Sequence, residues 1–154
     1  MSIRIRTYKH HNDYARVLML AELMYGESKY THKPFMRESV YEFLEMIDNN
    51  TLVGYIAEHN QRGIVGFICL AQMPYIFTGG IFVHDLAFYV MPEMRHTLAF
   101  AALLRAAEKH ANDVGADAVM LGITAPHDVS KTARAYNKRG YQTFGVFMRK
   151  ELKQ

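Results

Sequence analysis

Ala133-Arg134-Ala135-Tyr136-Asn137-Lys138-Arg139-Gly140-Tyr141, then Gly145-Val146-Phe147-Met148-Arg149-Lys150-Glu151-Leu152, close the chain. The first stretch predicts a short helix stopped at Gly140, because glycine takes up the left-handed turn after a helix without steric penalty. The second predicts two brief strands. Tyr136 then sits one turn inside the helix end.

Working back from that helix, Ala118 to Ile123 reads as a buried strand, and a long helix runs from about Thr97 to Val114 and stops at Gly115. Before it, Asn60-Gln61-Arg62-Gly63 makes a hairpin turn into a strand over Ile64 to Met73, and Gly79-Gly80 turns into another over Ile81 to Val90. The first part of the chain reads as a strand over Ile3 to Tyr8, a helix over Asp13 to Tyr25, a loop rich in Gly, Lys and Pro, a helix over Glu38 to Ile47 and a strand over Leu52 to Glu58. Early helices, an antiparallel meander and then alternating strands and helices imply an α+β sheet covered on both faces.

The 154 residues suit one domain with a single core, 1–154. Eighteen basic and fifteen acidic side chains are scattered, with no Lys or Arg run able to neutralise a row of phosphates, so no nucleic-acid partner is implied. The one cysteine, Cys69, lies in an apolar run and reads as a buried structural thiol. The sequence shows no signal peptide and no stretch apolar enough to cross a bilayer, so no membrane association is expected and the cytoplasm is the expected location. The eight histidines show no ligand spacing, so no metal is expected. Ten methionines, Met19, Met24, Met36, Met46 and Met73 among them, read as core filler.

The ordered series Gly26-Glu27-Ser28, Lys33-Pro34-Phe35, Ile64-Val65-Gly66-Phe67, Pro74-Tyr75, Tyr89-Val90-Met91-Pro92-Glu93-Met94-Arg95 and the closing Tyr136 to Tyr141 resembles the GNAT acyltransferases over nearly the whole chain. It looks closest to the GNAT domains encoded by tailed phages. The resemblance implies the GNAT fold, α+β, with a mixed central sheet of six to seven strands and about four helices on both faces. It also implies transfer of an acetyl group from acetyl-CoA to a primary amine, on a small molecule or a protein, without a covalent enzyme intermediate.

On that resemblance, Arg95, His96, Thr97, Leu98, Ala99 and Phe100 occupy the pyrophosphate-binding helix start, where backbone N–H groups and the helix dipole favour an anion. Leu98 and Phe100 stand where two glycines are expected, which removes glycine's unusual φ values and close phosphate approach. Leu98 and Phe100 could turn into the core while Arg95, His96 and Thr97 face the phosphates. The backbone of Phe88, Tyr89 and Val90 corresponds to the strand that holds the pantetheine arm, where a peptide N–H can polarise the thioester.

An amine acceptor needs a base, because its nitrogen is mostly protonated at neutral pH. Asp85 is the first candidate and Glu58 the second. Strict alternation along the strand would put Asp85, Ala87 and Tyr89 on one face and His84, Leu86, Phe88 and Val90 on the other. Tyr136 corresponds to the family's general acid. Many relatives carry an asparagine two turns before it, where this chain has His127-Asp128-Val129-Ser130, and Asp128 or Ser130 reads as a helix cap. The loop between the first two helices, with Glu27, Ser28 and Tyr30, corresponds to the acceptor side. The final strands would offer an edge that suits a homodimer. The replaced glycines also fit a second reading, a non-catalytic GNAT-like factor that binds a host or virion protein.

Overall fold

Seven consecutive buried residues, 64–70, mark the strand on which the fold is built. This is β3 (Gly63–Pro74), and side chains on both of its faces are covered, as its unbroken apolar run requires. The computed structural model describes residues 2–124 and 128–152, and the chain divides into two compact units, Met1–Gly122 and Ile123–Gln154. The first unit contains β1 (Ile3–Thr7), α1 (His10–Gly26), α2 (Arg37–Asp48), β2 (Val53–His59), β3, β4 (Ile81–Val90), a 3-10 turn (Pro92–Met94), α3 (Ala99–Asp113) and β5 (Ala118–Met120). The second contains α4 (Val129–Asn137).

The sheet has five strands in the order β1-β2-β3-β4-β5. The first four pair antiparallel, and β5 joins β4 in parallel through the α3 crossover. On one face Phe67, Cys69 and Tyr89 meet Val17 and Leu20 of α1 and Leu44 and Ile47 of α2. On the other, Val65, Ile68, Leu70 and Val83 meet Ala99, Leu103, Ala107 and Ala111 of α3, whose four-residue spacing makes one helical stripe. Cys69 is buried as expected, which pushes its thiol up to about 12.

Three expectations need correction. Among the described residues the sheet has five strands rather than six or seven, because residues 141–152 belong to no ladder, and Phe144, Val146, Phe147, Met148 and Leu152 are each at least 82% exposed. A strand needs a neighbouring edge to take its backbone groups, and local patterning cannot supply one. The strand expected over Ala118 to Ile123 ends at Met120, where its pairing with β4 stops. The first helix starts at His10 rather than Asp13, because the Asp13 carboxylate reaches back to accept the Lys9 amide at 2.8 Å. Among the described residues no helix is long and apolar enough to cross a membrane.

In the second unit Gly140 ends the chain's last helix with φ +87°, as the closing stretch predicted. The Tyr141 amide donates to the Tyr136 carbonyl across that turn at 3.2 Å. Asp128 stands at the N-cap of α4 in a left-handed conformation and makes no side-chain cap bond, so the expected cap bond is absent there. His127 lies outside the described residues.

Candidate active site

Strand β4 carries the candidate site, and its register with β3 decides which side chain faces which layer. Cys69 pairs with Ala87, but Leu70 pairs with Asp85, so Leu86 is an extra residue bulged out of β4. Paired residues share a face of the sheet. Ala87 therefore joins the layer under α1 and α2 with Cys69, whereas Asp85 joins the α3 layer with Leu70. The expected alternation, with Asp85, Ala87 and Tyr89 on one face, is corrected by this bulge, which resets the two-residue period.

Asp85 lies where β4 and β5 part. The two strands pair only at Phe82–Ala118, Val83–Val119 and His84–Met120. Beyond that point the Gly122 amide donates to Asp85 Oδ1 at 2.8 Å. Burial raises the Asp85 carboxyl above the ordinary carboxylate value, and the Gly122 amide draws it back only in part.

Past the bulge, the β4 backbone opens toward the side that β5 has left. The Met91 amide donates to the Val65 carbonyl at 2.9 Å, and hydrogen-bonded pairs alternate along an antiparallel ladder, so Phe88 and Val90 direct their amides and carbonyls away from β3. Opposite Val90 stands Gly66, whose missing Cβ would meet the Tyr89 carbonyl oxygen at 2.8 Å. Glycine there lets β3 and β4 lie close without pushing this segment aside.

The helix start at α3 departs from its expected arrangement at Leu98 and Arg95 and keeps it at Phe100. Leu98 is 68% exposed rather than turned into the core. Phe100 stacks on Phe88, with ring centroids 5.0 Å apart and planes 3° from parallel, so its ring lies against the sheet. Arg95 does not face the helix start: its Nη2 donates to Glu27 Oε2 at 2.7 Å, its Nε donates to the Val90 carbonyl at 2.9 Å, and its guanidinium lies 5.4 Å from the Tyr89 ring centre. Burial, with a hydrogen bond to Glu27, raises the Tyr89 phenol above its ordinary value. Glu27, Tyr89 and Arg95 therefore form one cluster tying the end of α1 to the end of β4. Paired charges far apart in the sequence carry no local signal, so this cluster could not be read from the chain.

Thr97 accepts the Ala99 amide at 3.2 Å and donates to the Met94 carbonyl at 2.6 Å, while His96 is exposed. Leu98 has φ −72°, an ordinary right-handed value, so this backbone does not need glycine for its conformation. What the exposed Leu98 side chain costs is room beside the helix start. The first-turn amides of Phe100 and Ala101 have no i−4 carbonyl within α3. These amides and the outward edge of β4 match the chemistry of a pyrophosphate and an amide-containing arm, so the residues present fit a CoA-type ligand.

The other candidates are placed as follows. Glu58 pairs with Arg4 at 3.6 Å and Arg6 at 3.3 Å, at the opposite end of β2 from the residue that pairs with Leu70, and is not brought to Asp85. Ser28 donates to the Tyr25 carbonyl at 2.6 Å and accepts the Tyr30 amide at 3.1 Å, a local turn that closes α1, and Tyr30 is 45% exposed. In the second unit, Tyr136 is buried and its ring contacts Tyr141 at 5.6 Å. Among the described residues no three His, Cys, Asp or Glu side chains group as a metal site. A groove of about 270 Å³ lies between α1, α2 and the β4 bulge.

A mixed five-stranded sheet that parts between β4 and β5, with helices on both faces, is the fold of acyl-CoA N-acyltransferases. The chain belongs to the acetyltransferase (GNAT) family, whose model matches residues 19–141. Similar solved structures include an acetyltransferase from Trypanosoma brucei, 20% identical over 98% of this chain and 100% of that one, with a TM-score of 0.76. Glucosamine-6-phosphate N-acetyltransferase from Arabidopsis thaliana is 14% identical over 99% and 100%, with a TM-score of 0.77. A predicted acetyltransferase from Clostridium acetobutylicum, solved with acetyl-CoA, is 18% identical over 98% and 97%, with a TM-score of 0.75. At these identities the likeness speaks for the fold. No curated protein matches the sequence.

Proposed function

We propose that the chain, acting over residues 1–154 as one domain, transfers an acetyl group from acetyl-CoA to a primary amine by direct attack. The observation that carries this reading is the outward backbone edge of β4 at Phe88 and Val90, just past the bulge and just before the α3 helix start. Bound there, acetyl-CoA supplies an acyl thioester. The first-turn amides of α3 take the pyrophosphate, and the Phe88 amide and carbonyl with the Val90 amide hold the pantetheine arm by strand-like hydrogen bonds, the Val90 carbonyl being taken by Arg95.

An N–H on this edge stabilises the negative charge that develops on the acyl oxygen. Asp85, with its raised carboxyl pKa at the parting of the strands, accepts the amine proton through a water, because the bulge turns its carboxylate to the face opposite Ala87. The C–N bond forms as the C–S bond breaks, and Tyr136, assigned from the family position, returns a proton to the thiolate. Glu27, held by Arg95, orders the α1 end of the acceptor side together with Ser28 and Tyr30. A cytoplasmic location belongs to the same reading.

A second reading is favoured by Leu98, whose exposed side chain crowds the helix start. In it the chain is a non-catalytic binding protein of the phage type, with a host or virion protein as partner. Calorimetric titration with acetyl-CoA, with desulfo-CoA and the nucleotide portion as controls, separates the two. Saturable binding of acetyl-CoA is expected. No heat up to millimolar ligand overturns the transferase reading and leaves the binding protein.

A further inference from the structure

We propose that the acceptor is an apolar primary amine, with the nitrogen joined by a short carbon chain to an aromatic or branched aliphatic group that sits in the groove between α1, α2 and the β4 bulge. This inference rests on the acetyl-transfer reading. Its ground is the chemistry of the lining. Of the ten residues around the groove, Ser39 is the one polar side chain and none is charged. A phosphate, carboxylate or second ammonium placed there would lose its water and find no partner. An apolar group would instead leave water against Val17 and Ala21 of α1, Val40 and Phe43 of α2, and Phe67 of β3.

The groove adjoins the proposed reaction centre through the chain itself. Leu86 and Ala87 both line it, and they lie between Asp85 and Phe88 in sequence. Consecutive residues facing the same side are what a bulge produces, so the irregularity that turns Asp85 to the α3 face also opens the groove floor toward the acceptor. Size sets the ligand. An apolar cavity of ~150 Å³ holds benzene. The groove's volume of about 270 Å³ accommodates a phenyl ring with a short linker. Met24 at the rim is adaptable, and Leu86 is 46% exposed, so the mouth can widen without disturbing the core.

The test compares 2-phenylethylamine with ethanolamine, lysine and glucosamine 6-phosphate as acceptors of the acetyl group of acetyl-CoA. Alongside it, ligand-observed NMR measures binding of 2-phenylethylamine to the full chain. Burying the ring predicts kcat/KM about 10- to 100-fold above that of ethanolamine, and each further buried methylene adds about fourfold until the groove is full. Ala21→Phe fills the groove and is expected to lower binding and kcat/KM for 2-phenylethylamine about tenfold, while acetyl-CoA binding stays unchanged. Leu86→Ala, a change at the rim, lengthens the groove and should shift the preference toward 4-phenylbutylamine if Ala21→Phe does not fold.

Polar amines acetylated as efficiently as 2-phenylethylamine, or insensitivity of 2-phenylethylamine to both substitutions, would overturn this inference and leave acetyl transfer standing. Binding of 2-phenylethylamine that Ala21→Phe abolishes, with no amine acetylated, supports the groove assignment and overturns the transferase reading. Neither binding nor acetylation overturns both.

Discussion

Asp85→Asn separates chemistry from architecture at the candidate site. The Asp85 carboxylate is half-buried on the α3 face and accepts the Gly122 amide at 2.8 Å, and an asparagine oxygen can accept the same bond. Removing a general base lowers the chemical step by about 10²- to 10⁴-fold. The base works only when deprotonated, so kcat/KM should rise with pH through the Asp85 pKa, and burial places that rise above the ordinary carboxylate range. The variant should lack this limb.

Stability should move the other way. A carboxyl whose folded pKa is raised contributes stability in full below its unfolded value of about 3.9, and this is lost as pH rises through the folded value. At neutral pH the charged Asp85 is therefore a net cost, and Asp85→Asn should match the native chain or exceed it by up to ~1 kcal/mol. The assay is single-turnover acetyl transfer against pH, paired with urea unfolding at neutral pH. Persistence of the limb in the variant would refute the assignment of Asp85 as base. A stability loss above ~2 kcal/mol would show that the carboxylate is instead a structural group.

Asp13→Asn should destabilise the fold by about 3 kcal/mol at neutral pH, because Asp13 is 2% exposed and accepts Arg6 at 2.8 and 2.9 Å as well as the Lys9 amide at 2.8 Å. Burial alone would raise its pKa, but Arg6 and the Lys9 amide outweigh that and hold it below the ordinary value. This stability is present above the unfolded pKa and lost as pH falls through the folded one. Urea unfolding should thus show the native and variant chains converging on acidification, and a gap independent of pH would contradict the ion pair. Tyr136→Phe should lower turnover about 10²-fold while leaving acetyl-CoA affinity unchanged in calorimetry. Full turnover where chemistry limits the rate would remove Tyr136 from the mechanism.

Much of the element order was legible in the chain because it depends on local patterning. The Gly79-Gly80 turn and the apolar run after it located β4 at Ile81–Val90, and Gly115 marked the end of α3. Gly140 announced its helix end because a left-handed φ is a property of one residue. The family motifs located β4 and the α3 helix start, and the α+β sheet covered on both faces followed from the order of elements, while its mixed pairing followed from the family resemblance.

Pairing across the sheet decided the rest. The bulge at Leu86 depends on β3 opposite it, and no pattern within β4 announces it; yet it puts Asp85 and Ala87 on opposite faces and opens the groove beside them. Arg95 was placed at the helix start by its motif, but Glu27, far away in sequence, draws its guanidinium elsewhere because a fixed charge binds its nearest opposite partner. The stretch over 141–152 has the composition of strands and belongs to no ladder, since a strand is completed by an edge and an edge is a property of the folded sheet. Sequence determined which residues this protein could bring to the site; tertiary structure decided which way they face, because side-chain direction follows from contacts that only the packed chain creates.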